Sequence, residues 1–146
     1  MAFMAFAMRQ NFNGEIVKKA SFSQEYINGK PNGYSFRVQL GYYRGHYLSD
    51  IDLLEVWLDG EQAPQEAVTF ELNGKELPVY KLRYAVTEFW SQVNQATIHV
   101  IRPGGVAPGE HELELKLMLR IPYMELGPGH SYMPLDSGDK QTVTVA

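Results

Sequence analysis

Four histidines are the side chains of this sequence best suited to acid–base or metal chemistry, so their spacing is informative. They are His46, His99, His111 and His130. A metal site of the cupin type would use two histidines one residue apart on a strand, together with a carboxylate, and no such pair is present. The sequence also lacks cysteine, a G-x-S-x-G elbow and a phosphate-binding glycine loop. We therefore predict no metal ligands and no cofactor in this chain.

The four histidines divide into two pairs by their surroundings. His99 and His111 lie at strand positions opposite the apolar residues of their segments, which favours a solvent-facing or edge position over metal ligation. His46 and His130 lie in segments rich in glycine and aromatic residues, the kind of loop from which a rigid β scaffold often presents functional side chains. We take His46 and His130 as the candidate catalytic residues.

Aromatic and apolar residues surround both candidates. Tyr42, Tyr43, Tyr47 and Trp57 are of the type that forms interface anchors or sugar platforms, although Trp57 could simply cover the outer face of its own sheet. Residues 122–136 contain two tyrosines, two methionines and two leucines between prolines and glycines. A segment this apolar must pack either on its own domain or on a partner.

The elements that position these residues are strands. In residues 111–121 (HELELKLMLRI) the apolar Leu113, Leu115, Leu117, Leu119 and Ile121 fall on one side of an extended chain, and Glu112, Glu114, Lys116 and Arg120 fall on the other. Period two over eleven residues predicts a strand with one face in a core, here the central strand of a sheet that ends at Pro122. Similar alternation occurs at residues 34–40, 51–58, 68–72 and 96–100.

The fold class predicted from these patterns is all-β. We expect a β-sandwich of about seven to nine mostly antiparallel strands, separated by turn signals such as Asn73-Gly74. At most one short helix is expected, between Lys81 and Gln92, where apolar residues recur with helical spacing. The glycine- and proline-rich residues 122–139 are expected to form a long loop before a last strand at 141–145.

Composition excludes several classes of partner. The chain has 146 residues and a formal charge of −4, whereas nucleic acids and anionic membranes favour a basic surface. No segment approaches the roughly 20 apolar residues of a membrane span, and the first residues lack the pattern of a signal peptide. We therefore expect a cytoplasmic protein with one β-sandwich domain, residues 1–146, that binds neither nucleic acid nor membrane.

Three segments of the sequence resemble one known family. They are 28–37 (NGKPNGYSFR), 41–49 (GYYRGHYLS) and 131–136 (SYMPLD). These segments are similar to the small β-subunits of bacterial C-glycoside deglycosidases. The similarity covers most of the chain, from about residue 13 to residue 145, and is carried by whole segments with no catalytic signature among them.

The resemblance implies a subunit of a carbon–carbon lyase that is inactive alone. It implies a larger TIM-barrel α-subunit as the partner, which holds a divalent metal (Mn or Mg) and most of the catalytic groups. The implied substrate is a 3-oxo C-glycoside with an aromatic aglycone such as a flavonoid. Its C3 ketone acidifies the C2 proton, so a base near a polarised carbonyl can remove that proton and expel the aryl carbon from C1.

Within this interpretation, the chain would support the barrel and help to close its active site. We expect His46 and His130 to serve as hydrogen-bond donors or proton relays, and Tyr47, Tyr132 and Met133 to pack against substrate or partner. Arg44 is expected either to join those contacts or to bind a carboxylate of its own domain.

Two other functions stay open at this stage. A free-standing carbohydrate-binding β-sandwich module would use the aromatic loops as a sugar platform, and it would be a stable monomer that binds glycans without another protein. A metal-dependent enzyme in its own right is disfavoured by the histidine spacing. The subunit interpretation differs from both because it predicts activity only in the presence of a partner.

Overall fold

The structure, a computed structural model, describes residues 7–9, 15–42, 44–125 and 132–146. Its strands are β1 (Val17–Ile27), β2 (Lys30–Gln39), β3 (His46–Tyr47), β4 (Ile51–Leu58), β5 (Glu61–Gln62), β6 (Val68–Leu72), β7 (Lys75–Pro78), β8 (Phe89–Trp90), β9 (Gln95–Ile101), β10 (Gly109–Glu125), β11 (Tyr132–Asp136) and β12 (Asp139–Val145). The helices of these ranges are three 3-10 helices, Leu48–Asp50, Gln65–Ala67 and Val79–Tyr84. None of them has the length and apolar character needed to cross a membrane.

Two large sheets and one small ribbon contain these strands. The first sheet, named here the β2 sheet, has the order β1-β2-β9-β6-β7, and the second, the β10 sheet, has the order β11-β10-β4-β5 with β12 also paired to β10. Strands β3 and β8 form a separate two-stranded ribbon. Every pairing between these strands is antiparallel. The predicted all-β class is confirmed, and nine of the twelve described strands have four or more residues.

Strand β10 is central to its sheet, as its alternation predicts. It pairs with β4 on one side and with β11 and β12 on the other. The alternate side chains that the sequence places on one face, Leu113, Leu115, Leu117, Leu119 and Ile121, are all buried. Each such side chain contributes roughly 1.5–3 kcal/mol when it is removed from water.

The β2 sheet supplies the other half of the core. Tyr34, Phe36 and Val38 of β2 are buried, as are Phe70 of β6 and Ile98 of β9. These side chains form one hydrophobic cluster with the buried leucines of β10. Two antiparallel sheets that share a core between their inner faces form a β-sandwich.

Two details of the predicted boundaries are wrong. Strand β10 continues past Pro122 to Glu125, and β11 lies inside the segment expected to be a long loop. The pairing of β10 with β11 shifts register between Ile121 and Glu125. Pro122 falls within this interruption, where its missing N–H does not break a regular ladder.

The helix expected between Lys81 and Gln92 is also different. The chain forms the 3-10 helix Val79–Tyr84 and then the short strand β8. Leu82 and Trp90 are buried, but Val86 and Phe89 are exposed. Leu82, Val86, Phe89 and Trp90 therefore do not form one buried face of a helix, although their spacing in the sequence is helical.

Candidate functional site

His46 occupies the ribbon formed by β3 and β8, where it pairs with Trp90. Its side chain is buried, and neither ring nitrogen has a hydrogen-bond partner among the residues that the structure describes. Nδ1 lies 3.9 Å from Oδ2 of Asp50, beyond hydrogen-bond distance. The Tyr42 ring lies against the imidazole, with 5.9 Å between ring centroids. Since buried polar groups are nearly always paired, the unused nitrogens of His46 are an unusual feature of this chain.

The local sequence explains why β3 and β8 approach so closely. A Cβ atom at Gly45 would lie 2.5 Å from the Trp90 carbonyl oxygen and 2.7 Å from the Phe89 ring, so a larger residue does not fit there. Trp90 anchors the other strand, because its indole N–H donates to the Asn94 carbonyl at 3.0 Å and its ring contacts Phe70 edge-on. The ribbon is therefore fixed to the core.

Alternation along the ribbon places aromatic residues on its outer side. Tyr47 is 47% exposed and Phe89 is 45% exposed, and their rings make an edge-to-face contact with centroids 5.1 Å apart. The adjacent segment adds Tyr80, Tyr84 and Val86, which are 57%, 74% and 64% exposed. A surface with this much apolar area is unusual for a side of a protein that faces only water.

The structure brings some of the predicted site residues together and separates others. His46 and Tyr47 are neighbours in β3 with opposite orientations, and Arg44 is exposed two residues before them. Tyr132 and Met133 lie instead in β11 of the β10 sheet, where both are half-buried and Met133 packs against the core. His130 lies outside the described residues.

Trp57 and Tyr42 have mainly structural surroundings. The Trp57 indole N–H donates to Glu55 at 3.1 Å, and Nζ of Lys116 lies 4.5 Å from the centroid of its ring. Both partners belong to the outer face of the β10 sheet, so Trp57 covers its own sheet. Tyr42 is buried beside His46.

His99 belongs to a second polar group, which sequence reasoning missed. Its Nε2 lies 2.7 Å from Glu71, and its Nδ1 lies 3.0 Å from both carboxylate oxygens of Glu25. Burial lowers the pKa of the His99 imidazole, but the hydrogen bonds to Glu71 and Glu25 outweigh burial and raise it overall. Glu76 lies directly opposite Glu71 in the β6–β7 hairpin, so the Asn73-Gly74 turn was the signal that could have predicted part of this group.

Glu71, Glu76 and His99 are a set that could hold a metal ion, since their ligand atoms all lie within 4.8 Å of one another. The separation of 2.7 Å between His99 and Glu71 is nevertheless that of a hydrogen bond. Two ligands of one zinc ion, each about 2.0–2.2 Å from it, would stand farther apart in a tetrahedral site. In this arrangement a hydrogen bond joins the His99 imidazole to the Glu71 carboxylate, and the two are too close together to be ligands of one zinc ion.

His111 is also held by a carboxylate. Its Nδ1 lies 2.6 Å from Asp59 Oδ2, and its Nε2 donates to the Ala107 carbonyl at 2.7 Å. These hydrogen bonds raise the pKa of the His111 imidazole, and the bond from His111 lowers the pKa of Asp59. His99 and His111 therefore lie on the strand side opposite the core, as their sequence positions predict, and each is paired there with a carboxylate that is distant in sequence.

Comparison with known proteins assigns the family. Residues 12–123 match the family model described as C-glycoside deglycosidase beta subunit. The chain belongs to this family. The matched residues include the β3–β8 ribbon, the helix Val79–Tyr84 and the His99 group, and they end before β11.

Individual relatives of this family carry the same description. A C-glycoside deglycosidase beta subunit of Eubacterium cellulosolvens is 33% identical over 97 residues, which is 66% of this chain and 66% of the relative. One of Arthrobacter globiformis is 27% identical over 108 residues, covering 73% of this chain and 82% of the relative. A 3'-dehydrocarminate deglycosidase beta subunit of a Microbacterium species is 29% identical over 102 residues, covering 69% and 76%. The alignment thus spans about two thirds of the first of these relatives and more of the others.

Proposed function

We propose that this chain is the accessory β-subunit of a C-glycoside deglycosidase that cleaves the carbon–carbon bond of a 3-oxo C-glycoside by elimination. Its family membership is the observation that carries the proposal. Relatives named as beta subunits imply another subunit in the same enzyme, and we propose a metal-dependent TIM-barrel α-subunit. The described part of this chain supports an accessory role, because His46 is buried and His99 and His111 are engaged by carboxylates.

The reaction needs a base, an electrophile and a shielded pocket. The base takes the proton from C2, the electrons of that C–H bond form the C1–C2 double bond, and the bond from C1 to the aryl carbon breaks. The aryl carbon then receives a proton. A divalent metal on the α-subunit would polarise the C3 carbonyl and so lower the cost of removing the C2 proton.

The role of this chain would be to close the pocket of the α-subunit and to contact the bound substrate. We keep His46 as the candidate hydrogen-bond donor or proton relay, because neither of its nitrogens has a hydrogen-bond partner among the described residues and Asp50 is 3.9 Å away. Its burial means that a proton must pass through a neighbour such as Asp50. We propose His130, Tyr132, Met133, Tyr47 and Arg44 as contacts with substrate or partner.

The experiment compares three samples with one 3-oxo C-glycoside. These are this chain alone, an α-subunit from the same organism alone, and the two co-expressed, each assayed for release of the aglycone. We expect release only from the co-expressed pair. An inactive mixture in which this chain stays monomeric and binds glycans would replace the proposal with the carbohydrate-binding module.

A further inference from the structure

One surface of this chain combines exposed aromatic residues, a groove and two cationic side chains that form no ion pair within the described ranges. We name it the Tyr80 face and define it by Tyr47, Tyr80, Tyr84, Val86 and Phe89. These residues come from the β3–β8 ribbon, from the helix Val79–Tyr84 and from the segment that joins this helix to β8.

The backbone beneath the Tyr80 face is fixed. The amide of Leu48 donates to the Glu88 carbonyl at 2.9 Å, and the amide of Ser49 donates to the Ala85 carbonyl at 3.2 Å. Leu82 of the helix is buried in the core. The exposed rings are therefore presented by an ordered backbone, which lowers the entropy lost when a partner binds.

A groove continues the Tyr80 face on the side of β4. It has a volume of about 220 Å³, and its lining includes Ile51, Leu54, Val79, Tyr80 and Arg83. Tyr80 and Arg83 thus belong both to the helix that carries the face and to the groove wall. Such a groove is large enough to take a side chain from a partner, which is how interface anchors are usually seated.

Charge indicates the chemistry of that partner. Lys81 and Arg83 are exposed, and neither forms an ion pair with any residue in the described ranges. Two carboxylates close to the face already have cationic partners: Glu88 pairs with Lys75 at 2.5 Å, and Asp52, which lines the same groove as Arg83, pairs with Arg120 at 3.2 Å. Unpaired positive charge beside apolar rings, on a chain of net charge −4, is complementary to an apolar surface that carries carboxylates.

A second copy of this chain does not fit these requirements. A symmetric dimer through the Tyr80 face would place the same patch on both sides of the interface. Both copies would then bring Lys81 and Arg83 to the same interface, and this excess of positive charge disfavours the contact. The occupant should therefore be a different polypeptide.

We infer that the Tyr80 face is the docking surface for the larger subunit of the same enzyme, with a partner carboxylate bound at Arg83. The inference rests on the proposed function for the existence of that subunit. A second exposed apolar group, Tyr26, Ile27 and Ile101, lines a groove of about 240 Å³ together with Glu25 and Glu76. It therefore has the opposite charge and serves as a matched control.

The test uses complexes co-expressed with a tagged α-subunit from the same organism. The face variants are the double variant Tyr84→Asp/Val86→Asp and the single variant Arg83→Glu, and the control is Tyr26→Asp/Ile27→Asp. All change exposed side chains, and circular dichroism and melting temperature check the fold of each. Dissociation constants come from dilution of the purified complexes, followed by mass photometry at two salt concentrations.

We expect both face variants to raise the dissociation constant at least about tenfold and the control to change it less than about threefold. Arg83→Glu should also weaken the salt dependence of binding. If the wild-type chain binds and the face variants bind with the same affinity, the docking inference alone is overturned. The same holds if the control variant loses as much affinity as the face variants. An α-subunit that never binds the wild-type chain overturns the proposed function as well. Self-association that the face variants abolish would make a second copy the occupant and also overturn the inference.

Discussion

At the scale of single residues, His46 is the least satisfied polar side chain of the candidate site. Both of its nitrogens are buried without partners in the described part of the chain, and an unsatisfied buried polar group costs about 1–3 kcal/mol. A residue kept under such a cost in the free chain fits a role that is completed elsewhere, either in the complex or with substrate. A substitution of His46 should therefore change both the stability of the free chain and the turnover of the complex.

Replacement of His46 by leucine tests both effects. We expect His46→Leu to leave the free chain at least as stable, because it removes an unsatisfied polar group from an apolar site. Turnover of the complex should fall at least about tenfold if His46 donates or relays a proton. Thermal unfolding and steady-state kinetics measure the two effects. Full turnover in the variant complex would remove His46 from the site.

The pair of His111 and Asp59 gives a prediction about pH. The raised pKa of His111 means that its contribution to stability is complete below 6.5, the usual value for histidine, and is lost as pH rises through the raised pKa. The lowered pKa of Asp59 means that its contribution is present above 3.8 and is lost as pH falls through the lowered pKa. Arg102 is the cation near both groups, and it lowers both pKa values.

The His111→Gln variant isolates this effect. The stability difference between wild type and variant should be largest between pH 3.8 and 6.5 and should shrink at higher and lower pH. Melting temperatures of both proteins from pH 3 to pH 9 are the measurement. Parallel curves over the whole range would show that the ion pair is not linked to folding.

At the scale of elements, β10 organises the molecule because it pairs with three other strands. Its adjacent residues Leu117 and Lys116 face opposite sides, one into the core and one over the Trp57 ring. We expect Leu117→Ala to reduce the free energy of unfolding by about 2–5 kcal/mol, since it leaves a cavity. Lys116→Ala should cost about 0.5–1 kcal/mol, the value of an exposed cation–π contact. Chemical denaturation of both variants measures the difference, and equal losses would contradict the assignment of faces.

At the scale of the whole molecule, the described part of the chain presents one surface that carries acidic side chains and another that carries exposed rings beside two cationic side chains. The outer face of the β2 sheet carries the Glu25, Glu71 and His99 group, whereas the Tyr80 face carries exposed rings beside Lys81 and Arg83. Such a distribution is expected of a subunit in which a specific surface is covered during assembly.

Binding of the α-subunit should stabilise the folded chain by mass action. At a free α-subunit concentration of 100 times the dissociation constant, the gain is about 2.7 kcal/mol. The melting temperature of this chain should therefore rise with α-subunit concentration in the wild type and rise much less in Tyr84→Asp/Val86→Asp. Differential scanning calorimetry with a titrated α-subunit measures this effect. The same rise in both proteins would locate the interface elsewhere.

Sequence alone determined the all-β class and the buried faces of β2, β6, β9 and β10. Alternation with period two is a local property, and burying one face of each strand follows directly from it. The resemblance carried by segments such as 41–49 also predicted the family correctly. The helical turns predicted between Lys81 and Gln92 end at Tyr84, because the apolar residues at helical spacing are divided between the core and the surface.

Only the tertiary structure decided which polar groups meet. His99 contacts Glu25 across 74 residues of sequence and Glu71 across 28, through the pairings of β9 with β2 and β6. The burial of His46 depends likewise on the pairing of β3 with β8, which joins residues more than 40 apart in sequence. Partner choice between strands is a long-range property that local patterns do not encode, because each strand offers the same backbone donors and acceptors to any neighbour.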